Sequence, residues 1–237
     1  VLTPLLDLIL PPRCAGCDAP GSVVCPVCAA RVRGVPARRL PEPSPPGMPP
    51  CWSAGDYDGV TRRLLLACKE RGRTAVAPVL AEALAGALAA TVTAVGAAVE
   101  VVPIPSTRAA YRIRGHDPVR RMATLAVRGL RAEGAPVTLV PLLTQRRRVA
   151  DQAGLSATQR AANLEEAYLV VSRSVRPARA SSAPAVVLVD DIVTTGATLA
   201  EAARALRVAG HEVRAAATVA ATRRRGGSEA RKGLRSV

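Results

Sequence analysis

Apolar residues in this chain gather in short runs bounded by proline, glycine or polar residues, and the segments between them carry apolar residues at helical spacing. AVVLV at 185–189 is the clearest run. VEVVPIPS, closed by Pro103 and Pro105, VTLVPLL, AYLVV, residues 52–57 and the apolar stretch after Gly210 read the same way, as strands. Between them, VTRRLLLACKERG predicts a helix stopped at Gly72, and a long alanine-rich helix follows over 76–91. In RGHDPVRRMATLAVRGLRAEG, Asp117 can cap a helix whose first residue is Pro118. Met122, Leu125, Ala126 and Leu130 recur on one face, and Gly134 ends it. A further helix is expected from Ala197 to Gly210, and a short one near Ser156 in the basic loop QRRRVADQAGLSATQRAANL. Strand, loop and helix alternate without an internal repeat, which predicts an α/β fold with a mainly parallel sheet and helices on both faces.

The N-terminal part reads differently. CAGCDAPGSVVCPVC holds two C-x2-C pairs, Cys14 with Cys17 and Cys25 with Cys28. Each such turn aims two sulfurs at one point, and a short hairpin through Pro20 and Gly21 would complete a tetrahedral S4 cage. Zinc is the expected occupant, structural because four thiolates leave no open position, with Arg13, Arg31 and Arg33 near enough to offset the negative charge. Disulfides suit an oxidising compartment, and a redox C-x2-C suits a βαβ setting that this segment lacks. Cys51 and Cys68 read as small buried apolar side chains. The run PARRLPEPSPPGMPP is too rich in proline for regular structure. The expected organisation is therefore a zinc-ribbon-like module over 1–35, a proline-rich linker over 36–50, the α/β domain over 51–221 and a tail over 222–237.

Composition narrows the classes of function. Of 237 residues, 49% are hydrophobic, enough for a sizeable core. LTPLLDLIL is cut short by Pro11 and Pro12 and lacks the flanks of a signal peptide, so no membrane insertion and a cytoplasmic location are expected. The formal net charge of +15 comes almost wholly from arginine, Lys69 and Lys232 being the only lysines. The segment RRRGGSEARKGLRSV concentrates that charge and is expected to be disordered, either a solvated extension or an arm for nucleic acid. With Trp52, Tyr57, Tyr111 and Tyr168 as the whole aromatic set, base-stacking platforms are not expected.

The chemistry concentrates in VVLVDDIVTTGAT, residues 186–198. A strand enters a loop, two adjacent carboxylates repel one another, and hydroxyls and a glycine lead into a helix. Thr194, Thr195, Gly196, Ala197 and Thr198 at a helix N-terminus suit a phosphate, with Gly196 letting the backbone approach closely. Asp190 and Asp191 would repel a phosphate and suit the hydroxyls of a sugar attached to it. The pattern is that of a site for a ribose 5-phosphate.

That motif resembles the phosphoribosyl pyrophosphate (PRPP) motif of type I phosphoribosyltransferases. The chain as a whole resembles the ComF family of competence-associated, phosphoribosyltransferase-like proteins, through CAGC and CPVC, LLLACKERG, VVPIPSTR, RIRGHDP, RRRVADQAGLSATQRAANL and the acidic motif. The resemblance implies a glycosyltransferase that moves the pentosyl group of PRPP, as a Mg2+ complex, to an amine or nitrogen heterocycle and releases pyrophosphate. It implies that Asp190 and Asp191 hold the ribose hydroxyls and residues 194–198 the 5-phosphate. Pro105 and Ser106 in VVPIPSTR would belong to the pyrophosphate loop, and Arg108, Arg112 and Arg114 would stabilise the departing charge. Lys69 occupies the place of a lysine usual in the family. His116 is expected to be structural; where the family reads RGFNQ this chain has RGHDP, so Asp117 and Pro118 replace asparagine and glutamine. The family's association with DNA uptake adds single-stranded DNA and DNA-uptake proteins as candidate partners. Two other classes fit the same residues: a non-catalytic PRPP or nucleotide sensor, and a nucleic-acid-handling factor.

Overall fold

The computed structural model describes residues 12–146, 167–171 and 184–222. The helix expected near Ser156 and the basic tail beyond Thr222 lie outside them. Six strands form one sheet in the order β1 (Ala37–Arg38), β2 (Cys51–Asp56), β8 (Val213–Ala221), β7 (Ala185–Val193), β3 (Val99–Pro103) and β4 (Val137–Leu139). Only the β1–β2 pairing is antiparallel. Val187 pairs with Val101 on one side and with Ala215 on the other, which makes β7 a central strand.

Because β7 is covered on both faces, its apolar run is unbroken, and alternate side chains serve two cores. Val187 and Val189 pack with helices α2 (Gly59–Lys69), α3 (Ala77–Val95) and α5 (Pro118–Ala132), through Leu64, Leu84 and Met122. Val186 and Leu188 face α6 (Ala197–Val208), through Leu199, Ala203 and Leu206. Small side chains set the spacing beside them. Ala215, Ala216, Ala217 and Ala220 of β8 are buried, as are Ala77, Ala81, Ala83 and Ala87 of α3.

Two expectations need correction. VTLVPLL is not one strand: Pro141 has no N–H for the ladder, so β4 ends before it and β5 (Leu143–Gln145) leaves the sheet. There β5 pairs antiparallel with β6 (Tyr168–Val170), the strand read from AYLVV, as a separate two-stranded sheet. A short helix, α4 (Arg108–Arg114), follows β3 where a loop was expected, started by Thr107, whose Oγ1 accepts the Ala110 N–H at 3.0 Å. Residues Thr74–Val95 are long and apolar enough to cross a membrane, with a mean hydropathy of 1.8, although half of that stretch is buried. Here it is a core helix, with Leu80, Leu84 and Leu88 fully buried.

The N-terminal module packs on the same core. Helix α1 (Pro26–Arg33) contributes Cys28 and Val32, and Cys14 joins them, in the cluster that holds Leu64, Val76 and Leu80. Two guanidinium groups fasten it: Arg63 Nε donates to Gly16 O and Arg73 Nη2 to Arg13 O. After α1, Ala37 and Arg38 pair with Ser53 and Trp52, and the Arg39 N–H reaches Cys51 O at 2.7 Å. Farther on, Arg207 Nη1 donates to Gly47 O at 2.6 Å.

The start of α5 carries an expected cap with a second duty. Asp117 Oδ1 accepts the Arg120 N–H at 3.0 Å, and Oδ2 accepts the Ser106 N–H at 2.9 Å, so one carboxylate ties the helix to the loop after β3. Asp117→Ala should therefore destabilise the fold by about 2 kcal/mol, a cap plus a second backbone bond, with Asp117→Asn intermediate. Urea unfolding checks this: a midpoint unchanged in Asp117→Ala would remove the latch.

Candidate functional site

Strand β3 stops opposite Val189, whereas β7 runs on to Val193 paired with β8 alone. Asp190 and Asp191 lie in this overhang. They are strand residues and not members of a turn, so they start toward opposite faces of the sheet. Both are buried, with 9% and 4% of their surface exposed. Asp190 Oδ1 accepts the Asp191 N–H at 2.8 Å and shares its side of the sheet with Cys51 and Tyr168. Asp191 Oδ2 accepts from Lys69 Nζ at 2.7 Å.

This arrangement divides the charge. Burial pushes the Asp190 carboxyl well above the usual carboxylate range, the Asp191 charge adds to the rise, and Lys69 only partly offsets it. Burial opposes the charge on Lys69, but Asp191 and then Asp190 outweigh it and raise the ammonium above an ordinary lysine. The pair is thus an acid beside an ion pair, and the Tyr168 phenol is pushed up by burial and by the Asp190 charge. Sequence reasoning gave Lys69 no role. Its signal was its place in ACKERG at the end of α2, where Glu70 follows and accepts from Arg114 Nη2 at 3.0 Å. The end of α2 therefore touches both the acidic pair and one of the candidate arginines.

Beyond the overhang, residues 194–196 turn into α6. Gly196 has φ of 76°, the left-handed region that glycine adopts without strain, and its carbonyl accepts the Ala200 N–H at 2.9 Å. Thr195 Oγ1 faces the Ala197 N–H at 3.4 Å. Thr194 is exposed, and Thr195, Ala197 and Thr198 are half-buried. The first amides of a helix have no partner one turn back, so this end presents donors. In front of Gly196, a Cβ would lie 2.3 Å from Met48 Sδ and 3.0 Å from Pro41 Cγ. The proline-rich segment therefore packs directly on the candidate phosphate loop.

On the other flank, Ile104 N–H continues the pairing to Val189 O at 2.9 Å and delivers Pro105 and Ser106 beside the overhang. The Ser106 amide is engaged by Asp117, and Pro105 O receives Gln145 Nε2 at 3.4 Å. Arg108 and Arg112 are exposed and one turn apart on α4, so they share a face. Arg114 is different: it is 18% exposed in the Glu70 pair. His116 Nδ1 lies 2.9 Å from Arg114 O. The structure thus gathers the acidic pair, the helix start and the β3 loop along one edge of the sheet.

The four cysteines sit on the α2–α3 side of the molecule. Their sulfurs all lie within 4.8 Å of one another, and Cys17 and Cys25 are 3.7 Å apart. Zinc–sulfur bonds of about 2.3 Å at tetrahedral angles put sulfurs about 3.8 Å apart, whereas a disulfide needs about 2 Å. The donors fit a metal cage. Cys14 Sγ receives the N–H groups of Cys25 at 3.3 Å and Gly16 at 3.4 Å; burial opposes its thiolate, but these bonds prevail and lower its pKa to about 6. Burial and the neighbouring sulfurs push the Cys28 thiol up. A Cβ at Gly16 would lie 2.7 Å from Cys28 Sγ, so the first turn needs glycine. Arg13 and Arg33, expected to balance the cage, pair with Asp18 and Glu82. Cys51 and Cys68 are buried as expected, and burial lifts the Cys51 thiol to about 12.

No curated protein matches the chain. Residues 122–236 match the family model of the phosphoribosyl transferase domain. The match takes in the acidic pair and the helix start of α6 but neither the cysteines nor α4. The mostly parallel sheet with its helices is that of the type I phosphoribosyltransferase fold, here preceded by a four-cysteine module.

Proposed function

We propose that this protein is a phosphoribosyltransferase of the ComF type, which moves the ribose 5-phosphate of PRPP to a nitrogen acceptor and releases pyrophosphate. The observation that carries this reading is the β7 overhang. A buried carboxyl and a lysine-paired carboxylate stand there one turn from a left-handed glycine and a threonine-rich helix start, all inside the segment matching the phosphoribosyl transferase domain.

Each group then has a task that fits its surroundings. The helix start and the hydroxyls of Thr194, Thr195 and Thr198 take the 5-phosphate, and Asp190 and Asp191 take the ribose hydroxyls. Cleavage at C1 builds positive charge on the ring, which a nearby carboxylate stabilises, and negative charge on pyrophosphate, toward which Arg108 and Arg112 stand. Arg114 and Lys69 act as a second rank, held by Glu70 and Asp191. Among the described residues, the cysteine set is the one group of three or more metal-binding side chains within reach of one another. Magnesium would arrive on the phosphates of PRPP, where it supplies charge neutralisation. Zinc in the cysteine cage would tie the start of α1 to the Cys14–Cys17 turn, a structural role apart from the reaction.

The two aspartates should respond oppositely to substitution. Asp190 titrates higher folded than unfolded, so its contribution to stability is complete below about pH 4 and is lost as pH rises through the folded value. Asp190→Asn should then raise the melting temperature at pH 7, with no gain near pH 4. Asp191→Asn should lower stability by about 1 kcal/mol, discounted for the partial exposure of Lys69. Both should weaken PRPP–magnesium binding about tenfold or more in calorimetry. Full affinity in both variants would refute the assignment. Gly196→Val is a poor probe, because it would also strike Met48.

For the cage, elemental analysis of the purified chain should give about one zinc, and chelation should lower the melting temperature of the whole domain, since Cys14 and Cys28 share its core. A zinc-free chain with four freely titrating thiols would overturn it.

A further inference from the structure

A cavity of about 360 Å³ opens beside the phosphate loop, and of the residues given a role above only Thr194 lines it. Its floor is the carboxyl ends of three adjacent strands: Asp56 of β2, Val193 of β7, and Ala221 with Thr222 after β8. Thr194 belongs both to its wall and to the candidate phosphate loop. Its cover is the segment from Arg38 to Pro41, whose position is fixed by the pairing of Arg38 with Trp52 and by the Arg39 N–H bond to Cys51 O.

The charge of this cavity is unusual. Arg38 and Arg39 both line it, against Asp56 alone. Arg39 Nη2 stands 3.7 Å from Asp56 Oδ1, too far for a hydrogen bond. Arg39 Nε is buried and has no hydrogen-bond partner among the described residues. A buried guanidinium N–H without an acceptor is costly, and the planar fork of arginine matches a carboxylate. Val193, Ala221, Leu40 and Pro41 supply apolar edges, and the volume, near the lower end for small-molecule sites, suits a single ring.

We propose that this cavity is the acceptor site, and that Arg38 and Arg39 select a nitrogen heterocycle bearing a carboxylate over its neutral counterpart. The proposal rests on the ribose 5-phosphate reading of the neighbouring loop. The acceptor nitrogen attacks C1 of PRPP. The C1–O bond breaks with its electron pair leaving on pyrophosphate and the C1–N bond forms; a ring N–H then gives its proton to water, whereas a pyridine nitrogen, which carries none, becomes a pyridinium. The acceptor's carboxylate meets the arginine pair on the side away from C1. Specificity thus comes from the proline-rich segment, outside the part of the chain that matches the transferase family.

Matched probes test this. Nicotinate against nicotinamide, and orotate against uracil, would be compared in pyrophosphate release from PRPP with magnesium and in direct binding by calorimetry. The acid of at least one pair should be preferred by about tenfold or more, the scale of a charge-assisted hydrogen bond. Arg38→Ala, at an exposed position, should reduce the preference, and Arg38→Ala with Arg39→Gln should abolish it. Melting curves show whether each variant is folded, and PRPP titrations report the ribose 5-phosphate site separately. Equal handling of acid and neutral probes, or a preference that survives the double substitution in a chain that binds PRPP, would overturn the proposal alone. Arginine-dependent binding of an acid by a chain that does not bind PRPP would overturn the ribose 5-phosphate reading and the acceptor role with it.

Discussion

Two adjacent carboxylates buried at the end of a central strand are the constraint around which this molecule is arranged. Helices cover both faces of β7, and Asp190 and Asp191 stand where it would otherwise carry valine. Lys69 makes that tolerable on one face by a 2.7 Å ion pair. On the other face burial and the Asp191 charge outweigh Lys69, and Asp190 is pushed toward its neutral form. Such an arrangement costs stability and persists where binding or catalysis requires it. The placement of α2 follows from it: its last residue must arrive beside β7, and its next one must reach Arg114.

How much of this the sequence disclosed follows a physical rule. The central strands, the capped start of α5 and the start of α6 were legible because local pattern and tertiary position agree there. Asp117, Pro118 and Gly196 each do what their own chemistry prefers. The misreadings came where tertiary contacts decide. VTLVPLL is apolar but for Thr138, and only Pro141 betrays that its halves belong to different sheets. Lys69 was unreadable because its partner lies 122 positions away. The alanine-rich helix expected over 76–91 runs on to Val95, where Gly96 in the left-handed region ends it.

The proline-rich segment shows a different limit. Composition marks it as irregular, and irregular it is, apart from Ala37 and Arg38. Irregular is not detached, however. Arg38 and Arg39 line a cavity at the strand ends, while Pro41 and Met48 close over Gly196. What looked like a spacer between the four-cysteine module and the α/β domain forms one wall of the candidate site. The Arg33–Glu82 pair and the burial of Val32 beside Leu80, by fixing α1 on α3, fix where that wall begins.

The pairing of β2 with β8 also bears on how the chain is made. Ser53 Oγ and Thr218 Oγ1 meet at 2.6 Å across 165 positions, both fully buried. During synthesis, β2 therefore has no parallel partner until residues near 221 have left the ribosome. Its open edge and the alanine-lined face of α3 stay exposed for that interval, a state prone to strand addition from other chains. The antiparallel β1, laid on the outer edge of β2 by the segment just before it, blocks one of the two edges during the wait. The remaining edge is closed by β8, the last strand among the described residues.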